Sequence, residues 1–377
     1  MRCLWQNSLV ALGSLAATAV QAQTYSSCNP LNSNSCPADT ALGMTINVDF
    51  TQGAVNSFAA SGSPTYDKTN GVSFTVSKGG DAPQLQSLFY IMFGRVEVTM
   101  KAAPGAGIVS SLVLESDVLD EIDIEWLGSD ANEVQSNYFG KGQVTSYNRG
   151  QFHDLTGTQS KWITYTVDWT KDKIVWMADG TILRSLTESQ AETGQYPQTP
   201  MRVKLGAWAG GDPNYNAAGT VKWARGPTDY TKGPFSMMVK KLVVTDYSTG
   251  KQYKYGDTSG DWESIQAVDG KVNGNINNKN AVTATATAVG SVSTGVGIPV
   301  GGIGTDKAAT ATQTGWPWVG TANPTAGAIP SGWYMTSEGK IMRESTGSGS
   351  SSVKPPGFFC VFLAPAFGAL LLAMRLL

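Results

Sequence analysis

Histidine is nearly missing from this sequence, and its scarcity narrows the chemistry at once. His153 stands alone among 377 residues and cysteine occurs four times. A zinc centre gathers several such ligands, so no metal and no other cofactor is expected. Basic runs are missing too. With a formal net charge of −2, the chain has nothing to track phosphates, and no nucleic-acid partner is expected. Helical periodicity is nearly absent, which leaves the all-β classes. Noticeable apolar runs occur only at the two ends.

Residues 1–22 carry Arg2, the apolar stretch Leu9 to Val20, and small residues at −3 and −1 before position 23. This is the pattern of a secretory signal peptide; the apolar stretch is too short for a membrane span. At the other end, Ser345-Thr-Gly-Ser-Gly-Ser-Ser-Ser352 precedes an apolar run, Phe358 to Leu372. Small residues, a polar spacer and a greasy terminus make a GPI-attachment signal. A tail-anchor helix is the competing reading, but Pro365 interrupts the run. A spacer of about 8–12 residues puts the lipid near Gly347, Ser348 or Gly349, with 349–377 removed. Cys3 and Cys360 leave with these segments, and Cys28 and Cys36 are expected to pair in an oxidising compartment.

Between Leu42 and about Ser264 run short alternating segments such as Val72-Ser-Phe-Thr-Val76, Arg95-Val-Glu-Val-Thr-Met100 and Lys173-Ile-Val-Trp-Met177. Gly, Asn, Asp and Pro separate them, which is the pattern of a β-sandwich or jelly roll. Asp179-Gly180 reads as a hairpin turn. After Asp269 the texture changes to Asn273-Gly-Asn-Ile-Asn-Asn-Lys-Asn280 and Ala/Thr/Ser/Gly runs. Such composition buries too little apolar surface to offset chain entropy. The expected domains are therefore 23–269 folded and 270–348 a disordered stalk rich in Ser and Thr, open to O-glycosylation. No role is assigned to the stalk's Trp316-Pro-Trp318 or Trp333-Tyr334.

One strand carries the chemistry. In Asp117-Val-Leu-Asp-Glu-Ile-Asp-Ile-Glu-Trp-Leu-Gly128, alternation sends Glu121, Asp123 and Glu125 to one face and Ile122, Ile124 and Trp126 to the other. Asp120 falls in the apolar register. Like charges crowded on one face are unfavourable unless solvated, bound to a cation or used. Solvated strand faces usually mix Lys, Thr and Ser, and three carboxylates on a straight strand wrap a cation poorly. Glycoside chemistry needs a pair of carboxyls, about 5–5.5 Å apart when configuration is retained. Cα atoms four apart on a strand are about 13 Å apart, a gap that two inward-leaning Glu side chains can shorten and two Asp cannot. Glu121 and Glu125 are then the working pair. Asp123 between them orients one and, by its charge, favours the protonated form of the other.

Glu121-Ile-Asp-Ile-Glu125 resembles the E-[IL]-D-[IVAF]-E signature of glycoside hydrolase family 16 in its regular-strand form. Asn137-Tyr-Phe-Gly-Lys-Gly142, Tyr165-Thr-Val-Asp-Trp169, Trp208-Ala-Gly-Gly-Asp212 and Gly219-Thr-Val-Lys-Trp223 resemble the fungal Crh branch, from about Cys28 to Trp262. The resemblance implies a concave, concanavalin-like β-jelly roll and a GPI-anchored, secreted cell-wall transglycosylase that retains configuration. It also implies a chitin donor, a β-glucan or chito-oligosaccharide acceptor, and membrane attachment only through the lipid; a monomer is expected. Glu121 becomes the nucleophile, Glu125 the proton donor and acid/base, and Asp123 auxiliary. The chain departs from the pattern at Arg225, where many relatives have Gly, and at Ile163, often His; both departures bear on acceptor preference. No cysteine-dense chitin-binding module is present, so polymer capture rests on the cleft.

Sugar rings are held by aromatic faces beside polar groups. On Met201-Arg-Val-Lys-Leu-Gly-Ala-Trp208, alternation groups Arg202, Lys204, Gly206 and Trp208 opposite Val203, Leu205 and Ala207. A core tryptophan is an equal reading of Trp208 from the residues alone. With the family pattern, Lys204, Trp208 and Thr220 become substrate contacts, beside Glu125 itself, and Gly206 leaves room for a ring. Asn137, Tyr138, Tyr165 and Trp223 are further candidates, about half of them expected to serve packing. His153, without evident partners, reads as a loop or packing residue.

Overall fold

The computed structural model describes residues 26–55, 57–143 and 149–277, with the strands Ala281–Ala284, Trp333–Met335 and Ile341–Arg343. All belong to the unit Met1–Arg343. The expected signal and GPI segments, including Gly347, Ser348 and Gly349, lie outside the described residues. Among the described residues no helix is long and apolar enough to cross a membrane.

Two sheets, antiparallel except for one edge strand of the second, lie face to face. The first runs Gln151–Asp154, Glu133–Phe139, Glu121–Leu127, Ile108–Ser116, Met201–Ala209, Gln84–Ser87, Phe58–Ser61. The second runs Thr181–Thr187, Lys173–Ala178, Ile163–Trp169, Gly94–Lys101, Phe235–Asp246, Thr45–Asp49, with Gly71–Val76 also on Phe235–Asp246. Every second residue of Gly94–Lys101 is buried, the period a half-buried strand requires. Phe235–Asp246 loses that period at Lys240 and Lys241, where a register shift inserts a residue. Asp179 and Gly180 both take positive φ, 45° and 79°, and close the expected two-residue hairpin.

The core between the sheets is one cluster that includes Ile122, Ile124 and Trp126 from the first sheet and Val96, Val167 and Trp169 from the second. Trp126 meets Tyr165 edge-on, centroids 4.6 Å apart. Tyr165 is therefore a core residue, fully buried, and burial pushes its phenol well up; it reaches no cleft. Ile163 is also buried on this second sheet, away from the acidic strand, so its departure acts on packing, not directly on acceptor contacts. The fold is the expected all-β jelly roll, with only one short α-helix, Ala218–Trp223, among the described residues.

The folded part passes the expected boundary at 269. Asn275 is buried and its Nδ2 donates to the Asp246 carbonyl at 2.7 Å, and Ala281–Ala284 pairs in parallel with Thr45–Asp49. An Asn-rich segment looks solvated in sequence, but one buried amide with its hydrogen bond made is enough to dock it.

Cys28 and Cys36 are bonded, eight positions apart. So small a closed loop limits the stabilisation to about 2–3 kcal/mol on the chain-entropy account. Cys28→Ser/Cys36→Ser should therefore lower the urea midpoint modestly without losing the fold; a globally unfolded variant would show that this N-terminal loop anchors far more than itself.

Candidate active site

The acidic strand is held from both sides and from beneath. Its start is fixed by Asp120, fully buried, whose Oδ1 accepts from the Lys141 N–H (2.8 Å) and whose Oδ2 accepts from the Gln198 N–H (2.9 Å) and Thr199 Oγ1 (2.7 Å). Burial raises this carboxyl above the ordinary range, against the pull of those donors. From the core, Trp176 Nε1–H of the second sheet donates to the Asp123 carbonyl at 3.0 Å. The strand is thereby tied to the layer behind it at the residue between the two glutamates.

Register assembles the other face in rows across the sheet. Glu125 stands between Gln135 and Ser111, with Phe152 beyond Gln135 and Gly206 then Gln84 beyond Ser111. Asp123 stands between Asn137 and Val113, followed by Lys204 and Gln86. Glu121 stands between Phe139 and Glu115, followed by Arg202. Glu121 and Glu125 are half-buried, whereas Asp123 is 1% exposed. Only the outer two carboxyls open toward solvent; that of Asp123 is covered.

Lys204 lies on this face, but it is buried and its Nζ is bonded to Glu115 Oε2. Arg202 stacks over the Tyr90 ring (4.7 Å) and bonds Asp117 Oδ1 (3.2 Å), with Tyr90 Oη donating to the same oxygen at 3.0 Å. Asp39 completes this acidic corner, its carboxyl raised by burial and then by the Asp117 charge.

Trp208 is 1% exposed, in a small apolar cluster with Val109, Val113, Leu127 and Ala224. Trp223 stacks on it, centroids 6.1 Å apart at 22°, and is the more exposed ring. The aromatic surface open at this point is therefore Trp223; Trp208 supports it. Thr220, on the helix Ala218–Trp223, is 6% exposed.

Two expectations fall. Tyr138 pairs with Ile122, faces the core at 3% exposure, and carries the Arg184 guanidinium over its ring at 5.4 Å. Adjacent strand residues face opposite ways, so Asn137 on the cleft side puts Tyr138 on the other. Gly206 leaves no room for a sugar: a Cβ there would meet the Pro83 carbonyl at 2.7 Å and Gln84 Cβ at 2.9 Å. Its hydrogen makes space for the neighbouring strand. His153 does have a partner, Ser136 Oγ at 2.8 Å, and pairs with core-facing Val134; burial lowers its pKa. Sequence reasoning missed Gln135, Glu115, Gln86 and Phe152, which join the site only through cross-strand register. Among the described residues no group of acidic, His or Cys side chains is arranged to hold a metal ion.

The profile of Glycosyl hydrolases family 16 matches residues 52–225. "Crh-like protein 4" of Botryotinia fuckeliana is 57% identical over 335 residues, 87% of this chain and 88% of its own. "Crh-like protein 4" of Aspergillus fumigatus is 49% identical over 355 residues, 92% of this chain and 76% of its own. Among solved structures, a Crh5 transglycosylase in complex with NAG is 47% identical, with a TM-score of 0.61 over 64% of this chain and 99% of that one. Identity this high over this much of the chain, on a shared fold, makes the protein a member of glycosyl hydrolases family 16, among its Crh-like proteins.

Proposed function

We propose that the protein is a retaining glycosidase of the transglycosylase type, cleaving chitin and passing the chain to β-glucan or a chito-oligosaccharide in the cell wall. The carrying observation is two half-buried glutamates, Glu121 and Glu125, on one face of one strand with the buried Asp123 between them. Glu121 attacks the anomeric carbon as Glu125 protonates the departing oxygen, giving a glycosyl-enzyme ester and a free chain end. Glu125 then takes the proton of an incoming sugar hydroxyl, whose oxygen displaces Glu121 with retention overall. Asp123 orients Glu121 and favours the protonated state of Glu125. Asn137 and Trp223 line the donor or acceptor path; Lys204, Trp208 and Thr220 act from just beneath the surface.

Similarity to a transglycosylase that binds NAG supports the substrate class, as does similarity to Crh-like proteins. A secreted, GPI-anchored placement at the membrane or wall fits the terminal sequence patterns. Purified protein incubated with chitin oligomers and a labelled β-glucan oligomer should yield a labelled hybrid. Shortened chitin without hybrid means a hydrolase, and neither product means that the scaffold only binds.

A further inference from the structure

The helix Ala218–Trp223 does not stop at its own side of the groove. Trp223 lies on Trp208 of Met201–Ala209, yet its Nε1–H donates to Gln135 Oε1 (3.0 Å) on Glu133–Phe139. Two strands, Ile108–Ser116 and Glu121–Leu127, run between those two. At about 4.8 Å per strand spacing, the bridge crosses roughly 14 Å of sheet. It lands on the register partner of Glu125.

Arg225 secures the crossing. Its φ is 58°, a left-handed backbone that residues with a Cβ rarely adopt. That conformation aims the guanidinium at Glu133 Oε1 (2.5 Å) and Asp130 Oδ2 (3.8 Å), and over the Phe152 ring at 5.4 Å. Phe152 is 46% exposed and pairs with Gln135. Beneath, Ala224 is packed with Leu127, Val109 and Trp208. The segment 218–226 is thus a strap over the sheet on the Glu125 side, packed below and tied by charge to the far rim. The acid/base works beside this wall, where an acceptor hydroxyl must arrive and water must be kept away.

We propose that Arg225 is a specificity-determining positioning residue: by clasping the strap to Glu133, Asp130 and Phe152, it fixes the acceptor-side wall and sets the balance between transfer and hydrolysis. This rests on the proposed function. It deepens it by assigning partition of the glycosyl-enzyme to a residue outside the glutamate pair.

Arg225→Gly suits the left-handed backbone and removes only the clasp; Glu133→Gln removes the other end and leaves the backbone alone. Both should keep donor cleavage within about twofold while raising acceptor KM and the hydrolysis-to-transfer ratio about tenfold, a split that loss of general stability does not produce. Hydrogen exchange in 218–226 should rise in both variants without any substrate present. Unchanged acceptor KM and product ratio in both overturn the proposal, as does unchanged exchange. If the wild-type chain makes no product at all, the proposed function falls, and exchange alone decides whether the clasp exists.

Discussion

Glu121→Ala and Glu125→Ala are expected to lower turnover on chitin oligomers by a factor of about a thousand or more, and to do so in chemically distinct ways. Without Glu125 the first displacement fails only for poor leaving groups, because an activated aryl glycoside departs without a proton. Such a substrate should still load Glu121, and added azide should then attack the ester and release a glycosyl azide of retained configuration. Without Glu121 no ester forms, and azide attacks the face the carboxylate vacated, giving the inverted azide. The two anomers, read by NMR, assign each carboxyl its role from the product alone. The same anomer from both variants, or near-normal turnover in either, would refute the assignment of Glu121 as nucleophile and Glu125 as acid/base. Asp123→Asn should be milder: at 1% exposure it keeps its place between the two and loses only the charge that separates their proton affinities.

What the sequence made legible follows from period and exclusion. Alternation alone put Ile122, Ile124 and Trp126 in the core and the three carboxylates opposite, and the structure agrees because a strand cannot do otherwise. The Cys28–Cys36 bond agrees with the expected pairing. The errors have an equally physical source. Tyr138 shares a family motif with Asn137, yet strand parity sends the two to opposite faces. Along its own strand Gly206 looks open, whereas its missing Cβ answers to Pro83 and Gln84 at the start of the next strand. Gln135, Glu115 and Phe152 reach the site through register, and register is fixed by pairing partners distant in the chain. The exposure of Trp223 and the cover over Trp208 depend on where a six-residue helix docks, which no local pattern encodes.

Lys204 and Glu115 offer the second large effect, and a way to separate structure from chemistry. Their side chains are 7% and 5% exposed and bonded to each other, so removing either strands a charge in a site that water scarcely reaches. Lys204→Met or Glu115→Gln should each cost about 3–5 kcal/mol of stability, while Lys204→Met/Glu115→Leu should recover most of it, because the attraction of a buried pair roughly offsets its desolvation. Glu115 is also the direct cross-strand partner of Glu121, with Cβ atoms about 5 Å apart at such a pair. Either single change then disturbs the nucleophile through its direct neighbour, and kcat/KM should fall along with the stability. The double variant should restore both. If Lys204 also contacts sugar, donor KM stays raised in the double variant after both have recovered; single variants that lose stability at unchanged kcat/KM would separate this pair from the chemistry and leave it a purely structural buried ion pair.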